Sequence, residues 1–387
     1  MTTSLILPAG TDECRQLVWS HARKVGQLAT PAIPVERYDG LAGPQIIFQS
    51  TPRLQPPTHL FSLWLKSIRV YSLTASVAPT LVVTAWIYES SFPRAPLWNF
   101  QEGALASIGV ILIQIALNQL NEVRKYLRFF LPDPENTRSL DPSNPASLLS
   151  GRNSVSVLHE GWVSPKKLFQ WAWVTGVFGL LLGIPALMRF PTQLALLTLA
   201  AILGIFLYLG MERRTSPRPG HSRDLKVFRD VLAFILVGPA LIAGLSLAYL
   251  NYVPQPLLIL GLALGTAAAA IVHANNLQDI PDDLSLSSRT LASALGFRLS
   301  KSVFGFLYLA SLGCIGWGTE SLIASLIAGL MILRPLLHLL KTVKNSTGPT
   351  SPHLFGLRET AALIHFRLAL GIALHYSAVQ WPMLLNN

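Results

Sequence analysis

Charged residues and cysteines are scarce in this chain of 387 residues. Only 13% of the residues are Asp, Glu, Lys or Arg, whereas an ordinary soluble domain is roughly a quarter charged. The two cysteines, Cys14 and Cys314, lie far apart in sequence and indicate neither a disulfide framework nor a metal cluster. The sequence also contains no Ser/His/Asp or Cys/His nucleophile signature and no glycine-rich phosphate loop after a strand. These absences argue against a soluble enzyme of those classes.

Apolar residues take the place of the missing charge, since 51% of the chain is hydrophobic. Nine apolar runs are each close to the ~20 residues that a helix needs to cross a bilayer. They predict an all-α integral membrane protein with nine transmembrane helices around a central cavity. Arg334-Pro335 and Arg367 interrupt the last two runs and make their bounds the least defined. The runs are 70–88, 104–121, 168–188, 191–210, 228–250, 255–277, 302–318, 320–340 and 360–380.

Basic residues alternate between the loops that connect these runs. The net charge is +11, and Lys and Arg concentrate in every second loop, whereas the loop at 251–256 and the turn at 318–320 carry none. Cytoplasmic loops of membrane proteins carry an excess of Lys and Arg. The N-terminus and the basic loops are therefore predicted to be cytosolic. No basic stripe interleaved with aromatic residues is present, so no nucleic-acid partner is expected.

Residues 1–60 differ from the rest of the chain because they are rich in proline, polar residues and arginine without a sustained period. They are interpreted as a cytosolic N-terminal extension that is partly disordered. The apolar stretch near Met1 is too short for a signal peptide and lacks a basic start. Residues 61–387 form the predicted transmembrane domain.

The sixth apolar run ends in a polar stretch, His273 to Asp283. At ~100° per residue a continuous helix places Asn276, Asp279 and Asp283 on one face, but Pro281 predicts a break in that helix. Carboxylates at membrane depth are expensive and are usually kept for a function. A histidine such as His273 more often packs between helices than acts as a base.

A second polar face lies at the end of the second run, where Gln114, Asn118, Asn121 and Glu122 fall within about 100° of one another. Lipid cannot satisfy these groups, so they are predicted to line a shared cavity with the first face. The alternative is that each face forms polar bonds between helices or a solvated helix end.

Clustered carboxylates suit a hard cation, and Mg²⁺ in turn takes phosphate oxygens as ligands. The Arg and Lys residues of the cytosolic loops suit a diphosphate. Together with an apolar channel they predict a site for an isoprenoid diphosphate. A proton or ion relay in a transporter would instead place its acids near mid-membrane.

The stretch Asn275-Asn-Leu-Gln-Asp279-Ile-Pro-Asp-Asp283, followed by Arg289-Thr290-Leu291 and Gly296, resembles the second Asp-rich motif of UbiA-superfamily membrane prenyltransferases. It is most similar to the branch that acts on 1,4-dihydroxy-2-naphthoate. Three weaker segments agree, at 64–79, 150–164 and 208–230, and the resemblance covers about 65–387. The nine helices are also typical of that family.

The resemblance implies that the protein transfers an isoprenoid chain from a prenyl diphosphate to an aromatic acceptor in quinone biosynthesis, such as menaquinone biosynthesis. Asp279, Asp283 and Glu122 are its expected catalytic acids, and with Asn118 they would hold Mg²⁺. The site would face the cytosol, at a bacterial inner membrane or an organelle membrane. The expected substrate-binding residues are Arg69, Arg124, Arg128, Tyr208, Arg213, Lys226, Asn275, Asn276 and Arg289.

The first Asp-rich motif departs from the family pattern. The family reads Asn-Asp-x-x-Asp, and this chain reads Asn118-Gln-Leu-Asn-Glu122. The Gly-Lys that follows the second motif is replaced by Ser287-Ser288. These departures motivate the alternative of a catalytically impaired relative that binds polyprenyl or quinone lipid as a structural or regulatory membrane partner.

Overall fold

The structure is a computed structural model that describes residues 5–9, 11–25, 28–40, 43–49, 59–91, 97–131, 157–189, 191–211, 225–285 and 290–385. The chain divides into two compact units. The first comprises Met1–Val70 and Leu112–Phe178, and the second comprises Tyr71–Ile111 and Gly179–Asn387.

The N-terminal part of the first unit contains five strands and one helix. In chain order they are β1 (Leu5–Pro8), α1 (Asp12–Ser20), β2 (Ala22–Val25), β3 (Leu28–Pro31), β4 (Ile33–Gly40) and β5 (Gly43–Gln49). An antiparallel sheet has the order β1-β5-β4, and β2 pairs with β3 in a separate hairpin. Within residues 1–60 the structure therefore describes ordered strands and a helix that the sequence had not predicted, and the interpretation as a cytosolic, partly disordered extension stays a prediction.

Prolines lie within the strands of this segment, and they made those strands difficult to predict from the sequence. Pro34 lies in β4, which is an edge strand of the three-stranded sheet, beside a register irregularity between Pro34 and Glu36. A proline cannot donate to a strand ladder, and edge strands and bulges tolerate that loss. On β5, Ile46 and Phe48 are buried, whereas Gln45, Ile47 and Gln49 are half-buried. Because Ile47 is apolar too, the sequence shows a short apolar run and not the polar–apolar alternation that signals a strand with one buried face.

Helix α1 begins at a capped N-terminus. The Thr11 hydroxyl accepts a hydrogen bond from the Cys14 amide at 3.3 Å, which satisfies one of the helix's first amides. Buried Cys14, Leu17 and Val18 join a core cluster of the first unit. Other members of that cluster are Ile46, Phe48, Val123, Tyr126, Phe130, Leu158 and Leu168.

Twelve further helices are described after the sheet. They are α2 (Leu60–Ser67), α3 (Thr74–Ser91), α4 (Leu97–Phe130), α5 (Pro165–Arg189), α6 (Pro191–Met211), α7 (Leu225–Ile235), α8 (Leu241–Leu250), α9 (Gln255–Gln278), α10 (Ile280–Ser285), α11 (Leu291–Gly318), α12 (Leu322–Asn345) and α13 (Leu357–Leu385). A π-helical turn, Leu236–Ala240, joins α7 to α8. Each of the nine predicted apolar runs coincides with helix in this series.

Eight helices among the described residues are long and apolar enough to cross a membrane by length and composition. In α6 the apolar stretch that the structure describes is the shorter Pro191–Ile205. The outer faces carry exposed large apolar side chains, such as Met188 at 77% and Leu322 at 80% exposed, and such surfaces suit contact with lipid. The prediction of an all-α, multi-pass integral membrane protein is confirmed for the helical part of the chain. The ninth span and the orientation stay predictions.

Helix α9 lies at the core of the second unit. Of its apolar stretch, 67% is buried, and Leu257, Leu260 and Leu264 pack in one cluster with Phe304 and Tyr308 of α11. Because a helix that is buried on most of its faces has few ways to shift, α9 is a rigid support for the polar residues at its C-terminal end.

Glycines allow α9 to approach the π-helical turn closely. A Cβ on Gly238 would lie 2.4 Å from the carbonyl oxygen of Gly261, and a Cβ on Gly265 would lie 2.8 Å from that of Phe234. Neither position accepts a side chain without movement of backbone. The Gly261–Gly265 pair therefore serves close packing between backbones, as a Gly-x-x-x-Gly pattern in an apolar helix typically does.

Arg367 and Pro335, which interrupt the last two apolar runs, lie in contacting helices, and the arginine bonds to a carbonyl that the proline leaves without a donor. Helix α12 continues through Pro335, which has no amide hydrogen and leaves the carbonyl of Met331 without its usual helical donor. On α13 the Arg367 guanidinium donates to that carbonyl at 3.3 Å. A charged side chain within a membrane-spanning helix is thereby bonded to backbone that a proline had exposed.

Candidate active site

The polar stretch at the end of α9 divides at Asp279. The helix ends at Gln278, and Asp279 leaves the helical conformation with φ −85° and ψ 3°. Pro281 then lies in the first turn of α10, where a missing amide hydrogen costs little. The chain keeps turning across the break, because the Asp283 amide donates to the Asp279 carbonyl at 2.8 Å. The predicted break in the helix is confirmed.

Each of the two motif acids is oriented by a neighbouring side chain. The Asn275 amide donates to Asp279 Oδ2 at 2.9 Å, across one helical turn. The Thr290 hydroxyl donates to Asp283 Oδ2 at 2.8 Å. Asp283 is 5% exposed and Thr290 1% exposed, so this bond is made away from bulk water. A hydrogen bond of this kind restricts the orientation of a carboxylate, which has about four acceptor positions in all.

Thr290 also caps the N-terminus of α11. Its hydroxyl oxygen accepts from the Ser293 amide at 3.2 Å, and the Ser293 hydroxyl oxygen accepts from the Thr290 amide at 2.9 Å. This capping box fixes where α11 begins. The Asp283 carboxylate is bonded to the cap residue, where the positive end of the helix dipole favours negative charge.

Asp230 of α7 connects the motif to the same helix start. The Asn276 amide nitrogen donates to Asp230 Oδ1 at 2.8 Å, and the Leu291 backbone amide donates to Asp230 Oδ2 at 3.3 Å. One carboxylate therefore bonds to α9 and to α11. The sequence resemblance included Asp230 without giving it a role, because its partners lie 46 and 61 residues away in sequence.

The donor chemistry at this end of α9 fits Mg²⁺. No group of three or more His, Cys, Asp or Glu side chains that could hold a metal ion occurs among the described residues. Mg²⁺ does not require such a cage, since it is usually bound by one or two carboxylates together with waters and substrate phosphates. Asp279 and Asp283 supply two carboxylates that are already oriented by hydrogen bonds, and Asn276 supplies an amide oxygen.

In the first unit, the polar face of α4 bonds to neighbouring protein groups. The Gln114 amide donates to Asn118 Oδ1 at 3.3 Å, and the Asn118 amide donates to the Ile68 carbonyl at 3.4 Å. Fully buried Gln119 donates to the Ser67 hydroxyl at 2.8 Å. Neither Gln119 nor Ser67 was recognisable from the sequence as part of this polar contact. These bonds are of the kind expected for polar contacts between helices.

Glu122 forms an ion pair with Arg69 in this unit. The guanidinium nitrogen lies 2.5 Å from Glu122 Oε2, and Glu122 is 5% exposed. Arg69 adopts a left-handed backbone conformation with φ 55°, which is uncommon for a residue with a side chain. A residue held in such a conformation is fixed by its surroundings. The roles of Glu122 and Asn118 as metal ligands, and of Arg69 as a substrate ligand, stay predictions.

The remaining predicted substrate ligands are less fully described. Arg124 is half-buried on α4. Arg213 and Arg289 lie outside the described residues. Only the backbone of α4, α6 and α7 is described at the positions of Arg128, Tyr208 and Lys226.

Comparison with known proteins gives the family. Residues 138–361, more than half of the chain, match the UbiA prenyltransferase family. The chain belongs to that family. The UbiA match contains Asp230, Asp279, Asp283 and Thr290, and it begins after the last residue of α4. The acids at the end of α9 are thus inside the matched part, and Glu122 is outside it.

A curated relative carries the same domain name. The chain is 31% identical over 80 residues to "UbiA prenyltransferase domain-containing protein 1" of Dictyostelium discoideum. The match covers 21% of this chain and 24% of that protein, so the chain spans about a quarter of the length of this curated relative.

His273 of the UbiA domain is packed between helices. Its Nε2 lies 2.9 Å from the Ser300 carbonyl oxygen, and its ring meets the Phe304 ring edge-on with centroids 5.0 Å apart. A carbonyl only accepts, so Nε2 carries the hydrogen. With 3% exposure, the residue has the packed environment that was predicted for it as the more frequent outcome.

Proposed function

We propose that this protein transfers an isoprenoid chain from a prenyl diphosphate to an aromatic acceptor within a membrane. The acceptor class is a 1,4-dihydroxy-2-naphthoate-like ring, which places the reaction in quinone biosynthesis. The observation that carries the proposal is the pair of oriented carboxylates, Asp279 and Asp283, at the end of a buried helix inside the UbiA match.

In the proposed reaction the carbon–oxygen bond between the allylic carbon and the diphosphate breaks, and its electron pair leaves on the diphosphate. A ring carbon of the acceptor supplies the pair for the new carbon–carbon bond and then loses its proton to solvent. Asp279 and Asp283 would hold Mg²⁺, and the ion would supply positive charge to offset the charge that develops on the leaving group. Glu122 and Asn118 are proposed as further metal ligands.

Side chains of the protein orient the metal-binding carboxylates and supply charge for the substrate. Asn275 and Thr290 hold the two carboxylates in one orientation, and such partners of metal ligands commonly govern metal affinity. Basic side chains add preorganised positive charge for the diphosphate, and Tyr208 shelters the allylic cation by cation–π attraction. The proposed cationic side chains are Arg69, Arg124, Arg128, Arg213, Lys226 and Arg289.

The membrane supplies the isoprenoid substrate from its apolar interior. The basic loops support a cytosolic position for the diphosphate site, in a bacterial inner membrane or an organelle membrane. A site at the end of a spanning helix lies where an apolar tail and a charged head group can both be accommodated.

The first prediction concerns Asp279. Membranes that contain the protein are given Mg²⁺, a radiolabelled prenyl diphosphate and a panel of aromatic acceptors, and labelled product is measured. Asp279→Asn should lower the rate by two or more orders of magnitude, because it removes a metal-binding charge. Glu320→Gln is the matched control, since Glu320 is an exposed acid of another turn, and it should leave the rate unchanged.

An Asp279→Asn variant that retains full activity would refute the metal assignment. If the folded wild-type protein binds the diphosphate and makes no product with any acceptor, the transferase proposal is wrong. The lipid-binding alternative from the sequence analysis would then take its place.

A further inference from the structure

We propose that Asp230 is a positioning residue that sets which atom of Asn276 is offered to the metal and diphosphate, and that ties this choice to the start of α11. The inference rests on the proposed function for the identity of the ligands. Nothing in the sequence analysis or in the family match gives Asp230 such a role.

The Asp230–Asn276 contact determines which way the Asn276 amide is turned. An ionised carboxylate accepts hydrogen bonds and donates none. The 2.8 Å contact with Asp230 Oδ1 therefore requires the amide nitrogen of Asn276 to point toward Asp230. The Asn276 carbonyl oxygen then lies on the other side of the planar amide. An oxygen is the atom that a hard cation takes as a ligand, whereas an NH₂ group in its place would be repelled.

The other oxygen of the same carboxylate bonds to α11. Asp230 Oδ2 accepts from the backbone amide of Leu291 at 3.3 Å. A backbone amide cannot reverse its role, so this bond and the bond from Asn276 to Oδ1 together restrict the orientation of the carboxylate.

Asp230 and Asp283 bond to adjacent residues at the start of one helix. Asp283 accepts from Thr290 at 2.8 Å, and Asp230 accepts from Leu291. The peptide bond between Thr290 and Leu291 therefore joins the hydrogen bonds of Asp230 and Asn276 to that of Asp283. Partners of this kind typically change metal affinity 10–100-fold when they are removed.

The helix that carries Asp230 is itself held close to α9. The carbonyl of Phe234, one turn after Asp230, lies against Gly265, where an added Cβ would be 2.8 Å away. The π-helical turn that follows is in equally close contact through Gly238 and Gly261. Because the two backbones are in close contact, neither can shift without the other. The distance between Asp230 and Asn276 is therefore fixed by the packing of α7 against α9.

The test uses Asp230→Asn. The new side chain has one acceptor atom, its amide oxygen, and this oxygen accepts the hydrogen bond from the Leu291 backbone amide. Its NH₂ group then faces Asn276, whose amide must turn over to present its oxygen. The amide nitrogen of Asn276 would now occupy the side meant for the cation. Mn²⁺ binding by the detergent-solubilised full-length protein, followed by electron paramagnetic resonance, should weaken about tenfold.

A reciprocal exchange distinguishes positioning from a general structural role. In the double variant Asp230→Asn/Asn276→Asp, the new amide at 230 donates to the carboxylate at 276 while its oxygen still accepts from Leu291. Both hydrogen bonds return, and position 276 again offers an oxygen. Mn²⁺ affinity should recover to within about threefold of the wild-type value, and the KM for prenyl diphosphate should recover with it.

Three results would overturn the inference. In the first, Asp230→Asn binds Mn²⁺ as the wild-type protein does. In the second, Asp230→Asn abolishes binding as completely as Asp279→Asn, which would make Asp230 a direct ligand. In the third, the exchange fails to restore binding although its melting temperature equals that of the wild-type protein. If Asp230→Asn alone fails to fold, the folded double variant still tests the inference, because its Mn²⁺ affinity either recovers as expected or does not.

The Mn²⁺ measurement also separates this inference from the proposed reaction. If the predicted affinity pattern appears and no acceptor is prenylated, the transferase proposal fails and the positioning role of Asp230 stands. If product forms and the affinity pattern is absent, the positioning role fails and the transferase proposal stands.

Discussion

Thr290 has two hydrogen-bonding roles that a single substitution can separate. It caps α11, and its hydroxyl bonds to the nearly buried Asp283. Thr290→Val keeps the shape and removes the hydroxyl, so it should cost about 1–2 kcal/mol of stability through the lost cap. It should also lower transferase activity, because Asp283 loses the donor that orients it.

The comparison variant is Thr290→Ser, which keeps the hydroxyl and should retain both the melting temperature and the rate. Thermal unfolding in detergent and the product assay measure the two effects. A Thr290→Val protein with wild-type activity would show that Asp283 needs no orientation from this residue.

His21 is expected to make the first unit sensitive to acid. Burial lowers the pKa of His21 from 6.5 to about 4, and its Nε2 lies 2.9 Å from the Tyr126 hydroxyl. Between those two pKa values the unfolded chain binds a proton that the folded chain excludes. The stability contribution is therefore full above about pH 6.5 and is lost as the pH falls toward 4.

The expected loss over that range is roughly 3 kcal/mol, at 1.36 kcal/mol for each pKa unit. Unfolding midpoints of the purified protein at pH 7.0, 6.0 and 5.0 would measure it. His21→Asn is the control, because Asn tolerates the left-handed conformation of this position, φ 55°, and does not titrate. Its midpoint should change less with pH than that of the wild-type protein.

At the scale of elements, the contact between α12 and α13 allows a direct test of whether Arg367 replaces the hydrogen-bond donor that Pro335 lacks. Arg367→Met should leave the Met331 carbonyl without the donor that replaces the missing proline amide, at a cost of about 1–3 kcal/mol. Pro335→Ala supplies that amide again. The double variant should therefore be more stable than Arg367→Met alone.

Thermal unfolding of the wild-type protein, both single variants and the double variant gives the coupling energy. Additive effects would mean that Arg367 and the proline-freed carbonyl act independently. The helix bounds themselves were within reach of the sequence, because the bilayer requires about 20 apolar residues for each span. The way in which α12 tolerates Pro335 was not predictable, because the Arg367 donor lies 36 residues from the Met331 carbonyl to which it bonds.

For the whole molecule, local chemistry was predictable and distant pairing was not. The bond between Asn275 and Asp279 joins residues four apart, and a helical wheel places such residues together. The bonds of Asp230 and the ion pair of Arg69 with Glu122 join segments that only the fold brings into contact. The N-terminal sheet was not predicted because prolines lie within its strands and its buried residues do not alternate regularly with polar ones.

The core of the first unit has a consequence for synthesis of the chain. Ile46 and Phe48 of the sheet share that core with Tyr126, Phe130 and Leu158. About a hundred residues of apolar helix and loop must leave the ribosome between these two halves, which takes roughly 5–20 s at ~5–20 residues per second. During that interval Ile46 and Phe48 can pack only against the N-terminal members of that core, such as Cys14, Leu17 and Val18. Part of the apolar face of the sheet therefore stays uncovered until the later partners have been synthesised, and this makes the nascent segment prone to aggregation.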